Sequence, residues 1–254
     1  ICVNPHMKAL YTGKNIIHLK EVHSTNRYTA EMLSNSVPIA DGSVIMADFQ
    51  TAGKGQLGVI WESMPKENLL LSVYYRPHFL KIADQFMLSI AISLAICDFL
   101  KKYIENVTIK WPNDIYVGDQ KIAGILIENS VQQDVIKNSI IGIGLNINQK
   151  DFSPHAKNAC SLSQLTGLQY DLQQMLQILC ECIEERYESI KNEDYQSISL
   201  AYLEQLYRFQ HPAKYMINDQ IQTATIEGVD EFGRLALAFD GRIHYFNNKE
   251  ITFI

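Results

Sequence analysis

The sequence predicts an α+β fold: a mixed, mostly antiparallel sheet flanked by helices, with a small β-barrel domain at the C-terminal end. Three observations carry this. Extended apolar segments separated by short reversals fill the middle of the chain, between Val107 and Asn148. A long apolar stretch, Phe86 to Leu100, has helical spacing, and beyond His211 only short β-like runs remain. At 254 residues the chain can bury a sizeable core, and its 47% apolar and 20% charged composition is that of an ordinary globular protein.

Taken in order, Ile16–Leu19 is a short strand candidate, followed by Ser24-Thr25-Asn26, all competent helix N-caps. Tyr28, Met32 and Leu33 then recur at helical spacing. The triplet reads either as capping alone or as a cap with a second hydroxyl aimed into a pocket; His23 reads as a local structural residue. Ser43 to Phe49 is a strand ending at Gln50. The loop after it, Thr51 to Trp61, holds Gly53, Gly55 and Gly58 within six residues. Such a loop is either solvated or a nest of N–H groups for an anion. It does not match GxxxxGK[ST] and no helical pattern follows it, which argues against a P-loop.

Asn68 to Tyr75 is extended again. Leu80 to Tyr103 is predicted as the longest helix, with Ser89, Ala91, Ser93 and Ala95 allowing close packing beneath a sheet. Its apolar run is short of the roughly 20 residues that span a bilayer and carries Asp98, so it reads as a buried helix. Val107–Lys110 then leads through Trp111-Pro112-Asn113-Asp114 to a second extended piece, Ile115–Val117. Gly118-Asp119-Gln120 reverses the chain into Lys121 to Glu128. Lys110 and Lys121 thus stand at the ends of buried extended segments. This is either an ordinary hairpin with solvated lysines or a way to hold cations over a pocket. Val135 to Asn148 is the antiparallel partner, and Gly142 and Gly144 let something approach its backbone or mark a bulge.

Helices are predicted for Ser161–Thr166, stopped by Gly167, for a segment capped by Asp171 and running to about Ile190, and for Tyr195 to Arg208. Four β runs follow, separated by Glu231-Phe232-Gly233 and Asp240-Gly241. The division is expected as residues 1–206 and 207–254.

Net charge of −6 disfavours a nonspecific grip on nucleic acid. The five cysteines form no CxxC pair, and Cys180 and Cys182, two apart on a helix, face different sides, so neither a disulfide framework nor a zinc site is indicated. A reducing cytoplasm fits, and Ile1 to Leu10 shows no continuous apolar core of a secretory signal.

Four segments together resemble the biotin–protein ligase family: Ser24-Thr25-Asn26, the Gln50 to Trp61 loop, Lys-Trp-Pro-Asn-Asp at 110–114 with Lys-Ile-Ala-Gly-Ile-Leu-Ile-Glu at 121–128, and Gly142 to Asn148. The resemblance implies a class II aminoacyl-tRNA synthetase/biotin synthetase-like fold. It implies activation of biotin by ATP to biotinyl-5′-AMP, then transfer to a lysine of a biotin carboxyl carrier protein. Carried over residue by residue, it makes Lys121, Lys110 and Lys54 catalytic. Biotin falls to Ser24, Thr25, Gln50, Gly53, Lys54, Gln56, Lys121 and Gly124. The nucleotide falls to Lys54, Gln56, Trp61, Lys110, Asn113, Asp114 and Asn146. Mg²⁺ is expected on the ATP phosphates without a protein cage of its own. A homodimer is implied by likeness only, and neither DNA nor membrane is an expected partner, only about 23 residues preceding Ser24. The commonest family loop reads Gly-Arg-Gly-Arg; Lys54 keeps the first charge without its bidentate fork, and Gln56 drops the second. Backbone N–H groups are therefore expected to do more of the anion binding. Lipoate ligases and octanoyltransferases share the broader fold, and a binding protein without catalysis remains a competing reading.

Overall fold

The computed structural model describes residues 11–156 and 158–254, Leu57 and His155 by backbone alone. Cys2 and the rest of the Ile1 to Leu10 segment lie outside the described residues. In chain order the elements are β1 (Ile16–Leu19), α1 (Thr25–Ser34), β2 (Ser43–Ala47), β3 (Asn68–Tyr75), α2 (Phe86–Leu100), β4 (Val107–Lys110), β5 (Asp114–Val117), β6 (Gln120–Gln132) and β7 (Val135–Asn146). Three helices follow, α3 (Leu162–Thr166), α4 (Leu172–Lys191) and α5 (Tyr195–Glu204). The chain ends in β8 (Pro212–Ile217), β9 (Gln220–Val229), β10 (Leu235–Phe239), β11 (Arg242–Phe246) and β12 (Ile251–Phe253).

The first sheet has seven strands in the order β1-β2-β3-β7-β6-β5-β4. Only β1 and β2 pair in parallel; every other neighbour is antiparallel. Every residue of β2 and β3 is buried, as continuous apolar runs covered on both faces should be. α1 and α4 lie against this part of the sheet, while α2 lies against β4, β5 and β6, its Ala91, Ser93 and Ala95 having no exposed surface and letting it lie close to its neighbours α4 and α5. Arg186 of α4 clamps Asp98 of α2 with two N–H donors, at 2.6 and 3.1 Å.

Two helix expectations are corrected by pairing that lies far away in sequence. The longest helix is α4, with 20 residues, and α2 spans 15 rather than the whole of Leu80 to Tyr103. The Leu80 carbonyl accepts from Ile136 N and Ile82 N donates to the Asp134 carbonyl, so this backbone is committed to the start of β7, and only a 3-10 turn, Ile82–Asp84, precedes α2. Likewise α5 stops at Glu204 rather than Arg208, because Ile109 N donates to the Gln205 carbonyl and Tyr207 N to the Ile109 carbonyl. The shorter signals are where expected: Asp171 accepts from Gln174 N, Ser161 and Gln164 form a reciprocal capping box, and Gly167 closes α3 at φ +74°.

The C-terminal strands form a five-stranded antiparallel sheet in the order β11-β10-β9-β8-β12. It is open: β11 and β12 are its two edges and do not pair with each other, so the expected closed barrel is not formed. β12, with only three residues, pairs with β8 alone. The second sheet is fastened to the first element group at several points. Trp111 Nε1 donates to the Gly233 carbonyl at 2.8 Å, and a Cβ on Gly233 would stand 2.6 Å from the Phe86 ring.

Candidate active site

The N-terminus of α1 is capped from another element. Ser24 sits at the N-cap position with extended backbone, but its hydroxyl makes no capping bond. Gln50, beyond the end of β2, supplies Oε1 to the Thr25 N–H at 2.8 Å instead. The Ser24 hydroxyl is therefore spare, and it lines a cavity of 340 Å³ together with Thr25, Gln50, Lys54, Asp114 and Lys121. Behind these lies a buried polar cluster. Ser72, fully buried in the apolar strand β3, is 2.8 Å from Thr25 Oγ1 and 2.6 Å from Asn26 Oδ1. Asn26 Nδ2 reaches the Leu126 carbonyl and Glu128 Oε2. Gly142 makes room for it, since a Cβ there would be 2.5 Å from Asn26 Oδ1.

The glycine loop folds over this cavity as a flap. Gly55 N donates to the Val59 carbonyl, Val59 N to Gln56 and Trp61 N to Gly53. These loop N–H groups are used by the loop itself, which leaves fewer for an anion than the sequence suggests. Gly58, at φ +82°, supplies the left-handed turn. The Trp61 ring lies on two glycines of the sheet: a Cβ on Gly124 would be 2.9 Å from it and one on Gly144 only 2.4 Å. Gly124 lines the cavity as well, with Trp61 and Lys121 packed against its Cα. Gly53 does not line the cavity; it lets the Trp61 backbone pass, at 2.7 Å from where a Cβ would be. Gln56 is held by the second sheet, its Oε1 accepting from Asn248 Nδ2 at 2.6 Å.

Lys121 Nζ is ion-paired with Asp114 Oδ1 at 2.6 Å and stands 5.5 Å above the Trp61 ring centre. Its side chain is 31% exposed, so it is only partly screened from water. Lys121 and Trp61 also line a second cavity of 850 Å³, which contains Asn146. The amide of Asn146 is half satisfied: Nδ2 donates to the Cys160 carbonyl, whereas Oδ1 is buried without a partner. Asn113 pins the turn before β5 to β6, donating to the Ile125 carbonyl at 2.6 Å.

Lys110 is placed apart from the others. It lines neither cavity; its ammonium donates to the Tyr116 hydroxyl and lies 4.7 and 5.0 Å from the ring centres of Tyr116 and Phe253. Burial among these rings lowers its pKa, with Asp114 opposing the shift. The sequence reading, conversely, did not single out Ser72, Glu128 and Asn248. A lone serine within Leu69-Leu70-Leu71-Ser72-Val73 was a usable signal; nothing local to Asn248 pointed to the loop. Among the described residues no cluster of three or more His, Cys, Asp or Glu side chains is placed to hold a metal.

The description "Biotin/lipoate A/B protein ligase family" belongs to a family model that matches residues 19–146, half of the chain. The chain belongs to this family. Among curated members, it is 31% identical to the bifunctional ligase/repressor BirA of Bacillus spizizenii over 76% of its own length and 60% of that protein's. It therefore spans less than two thirds of that relative. It is 28% identical to the bifunctional ligase/repressor BirA of Escherichia coli over 94% of this chain and 74% of the other. A solved family structure, the biotin protein ligase from Aquifex aeolicus in complex with biotin and ATP, superimposes with a TM-score of 0.78 at 26% identity, covering 94% of this chain and 98% of that one.

Proposed function

We propose that this chain is a biotin–protein ligase, which joins biotin to ATP as biotinyl-5′-adenylate and passes the biotinyl group to a lysine of a biotin carboxyl carrier domain. The observation that carries the reading is the position of Lys121 on the wall shared by two cavities. One cavity ends in the hydroxyls and amide of Ser24, Thr25 and Gln50, suited to a neutral polar head. The other presents the spare oxygen of Asn146, suited to an amino group such as that of adenine.

In the first step a biotin carboxylate oxygen attacks the α-phosphorus of ATP, and the bond to the leaving pyrophosphate breaks. Two anions must approach, which a preplaced cation favours. Lys121 supplies it by exchanging Asp114 for the reacting oxygens, and Lys54 at the mouth adds a second positive charge. ATP enters with Mg²⁺ on its phosphates, as substrate. In the second step the acceptor amine, deprotonated from its ammonium form by solvent, attacks the acyl carbon and an amide forms, AMP leaving with the electron pair of the mixed anhydride and the nitrogen's surplus proton passing to solvent. Lys110 acts by bracing Tyr116 and Phe253 at the junction of the two sheets.

The four described cysteines are free and buried, which suits a reducing cytoplasm. A homodimer built by sheet extension would use β1, because the Gln205–Tyr207 backbone already bonds to Ile109 of β4. The test is transfer of labelled biotin to an isolated carrier domain, with lipoate and octanoate as parallel substrates. Modification by biotin alone supports the proposal; modification by lipoate or octanoate in its place, or none, removes it.

A further inference from the structure

Two segments meet at the larger cavity, and one buried side chain fastens both. Gln149 follows β7 and is 4% exposed. Its Oε1 accepts from Met64 N at 2.9 Å and from Asn68 Nδ2 at 2.6 Å, and its Nε2 donates to the Asp151 carbonyl at 2.8 Å. A backbone N–H only donates and a carbonyl only accepts, so the amide has one orientation. Asn68 is fixed in the same way, because its Oδ1 accepts from Ile147 N and turns Nδ2 towards Gln149. Met64 lies three residues past Trp61, which lines both cavities. Asp151 opens the segment whose Phe152, Pro154 and Ala156 line the larger cavity beside Asn146. The far end of that segment is tied to the strand of Lys121: Lys121 N donates to the Asn158 carbonyl at 2.6 Å, and Cys160 N to the Lys121 carbonyl at 2.9 Å. At the near end Gln164 Nε2 holds the Lys150 carbonyl from the exposed side, and Gln149 holds Asp151 from within.

We propose that Gln149 is a positioning residue for the nucleotide: its amide N–H holds the 151–156 segment in place as a wall of the cavity, while its oxygen separately holds the segment that leaves Trp61. The inference rests on the ligase reading above, which puts ATP in this cavity, and deepens it. Gln149 touches no substrate and acts through Phe152 and Pro154. With the N–H in place the wall is formed before ATP arrives. Without it, ATP must order the wall on binding, and the cost is taken from its own affinity. Once ATP is bound the reacting groups stand as before, so the effect belongs to KM and not to kcat. The two halves of the amide do different work, a donor for Asp151 and an acceptor for Met64 and Asn68, and chemistry can separate them.

Gln149→Glu makes the separation. It keeps the shape and the accepting oxygen, and sets a second acceptor against the Asp151 carbonyl in place of the donor. The N–H groups of Met64 and Asn68 favour its ionised form, and assays at about pH 8.5 keep it ionised. Biotin-dependent pyrophosphate release is measured with ATP varied and then with biotin varied. In Gln149→Glu the ATP KM is expected to rise about five- to twentyfold, with kcat within about threefold and the biotin KM within about twofold of wild type. A merely structural role would move both substrates alike. Gln149→Met, which has neither donor nor acceptor and buries no charge, should also raise the ATP KM with kcat held, and it decides the matter if Gln149→Glu does not fold. An ATP KM within about twofold of wild type in either folded variant overturns the proposal. So do equal rises for ATP and biotin in Gln149→Glu. If the wild-type protein releases no pyrophosphate from ATP with biotin present, the ligase reading fails, and this inference with it.

Discussion

Replacing Gly144 with alanine tests whether the Trp61 ring truly rests on the sheet. Gly144 is not in a left-handed conformation, so alanine brings no backbone strain and its whole effect is steric. The new methyl would lie 2.4 Å from Trp61 Cε2 and 2.7 Å from Cζ2 and Nε1, where ordinary contact needs at least 3.4 Å. The ring must therefore retreat by about an ångström or leave the cleft. Overpacking of this kind costs about 1–3 kcal/mol if the ring stays. If it leaves, the indole exchanges packing on Gly124 and Gly144 for water. The chain has only two tryptophans, and Trp111, 5% exposed and bonded to Gly233, reports a separate place. Denaturant unfolding with intrinsic fluorescence is the assay: Gly144→Ala is expected to unfold at lower denaturant and to show red-shifted native emission, with Gly124→Ala doing the same more weakly. Unchanged stability together with unchanged emission in Gly144→Ala would refute the placement of Trp61.

Gly142→Ala should cost about 1–3 kcal/mol by unseating the buried Asn26 amide, read as a lowered melting temperature. Lys110→Ala should lower stability by about 1 kcal/mol through lost contact with Tyr116 and Phe253, while the KM for ATP stays within about twofold; a large rise in that KM would return Lys110 to the phosphates. Burial raises the thiols of Cys97, Cys160 and Cys180 from 9.0 to about 12 and Cys182 to about 11. The native chain thus keeps protons that the unfolded chain loses above pH 9, so their contribution to stability is complete below pH 9 and falls as pH rises through 11 to 12. Thermal melts across that range, and slow native-state labelling by a thiol reagent at pH 8, check this; rapid labelling of all four would contradict it.

Much of the first sheet was legible because its signals are local. The Lys110 to Glu128 segment announces two strands and two turns, one through Pro112 and Asn113 and one through Gly118, and the capping residues Asp171 and Ser161 announce their helices. What the sequence concealed depends on partners distant along the chain. The start of α2 is set by Asp134 and Ile136, and the end of α5 by Ile109, none of which a helical period can report. Closure of the C-terminal sheet depends on two edge strands meeting, and alternation within each strand says nothing of that. At the site, most groups matching family positions came together around two adjoining cavities, but Gly53 lies behind the flap and Lys110 turned towards aromatic rings supplied partly by Phe253. Ser24 and Thr25 were found as cap candidates, but the cap itself is Gln50, a substitution visible only once β2 and α1 are adjacent. Asn248 reaches Gln56 across 192 residues of chain, and no local pattern could have joined them.

Charge at position 121 is the centre of the account, and pyrophosphate release from ATP with biotin present measures it most directly. Lys121→Ala, which leaves Ser24, Thr25 and Gln50 untouched, should still be stabilised against heat by biotin. Its rate of biotin-dependent pyrophosphate release should fall by roughly a hundredfold or more, the scale expected when a preplaced charge is removed from a reacting centre. Release at the wild-type rate from that variant would contradict it.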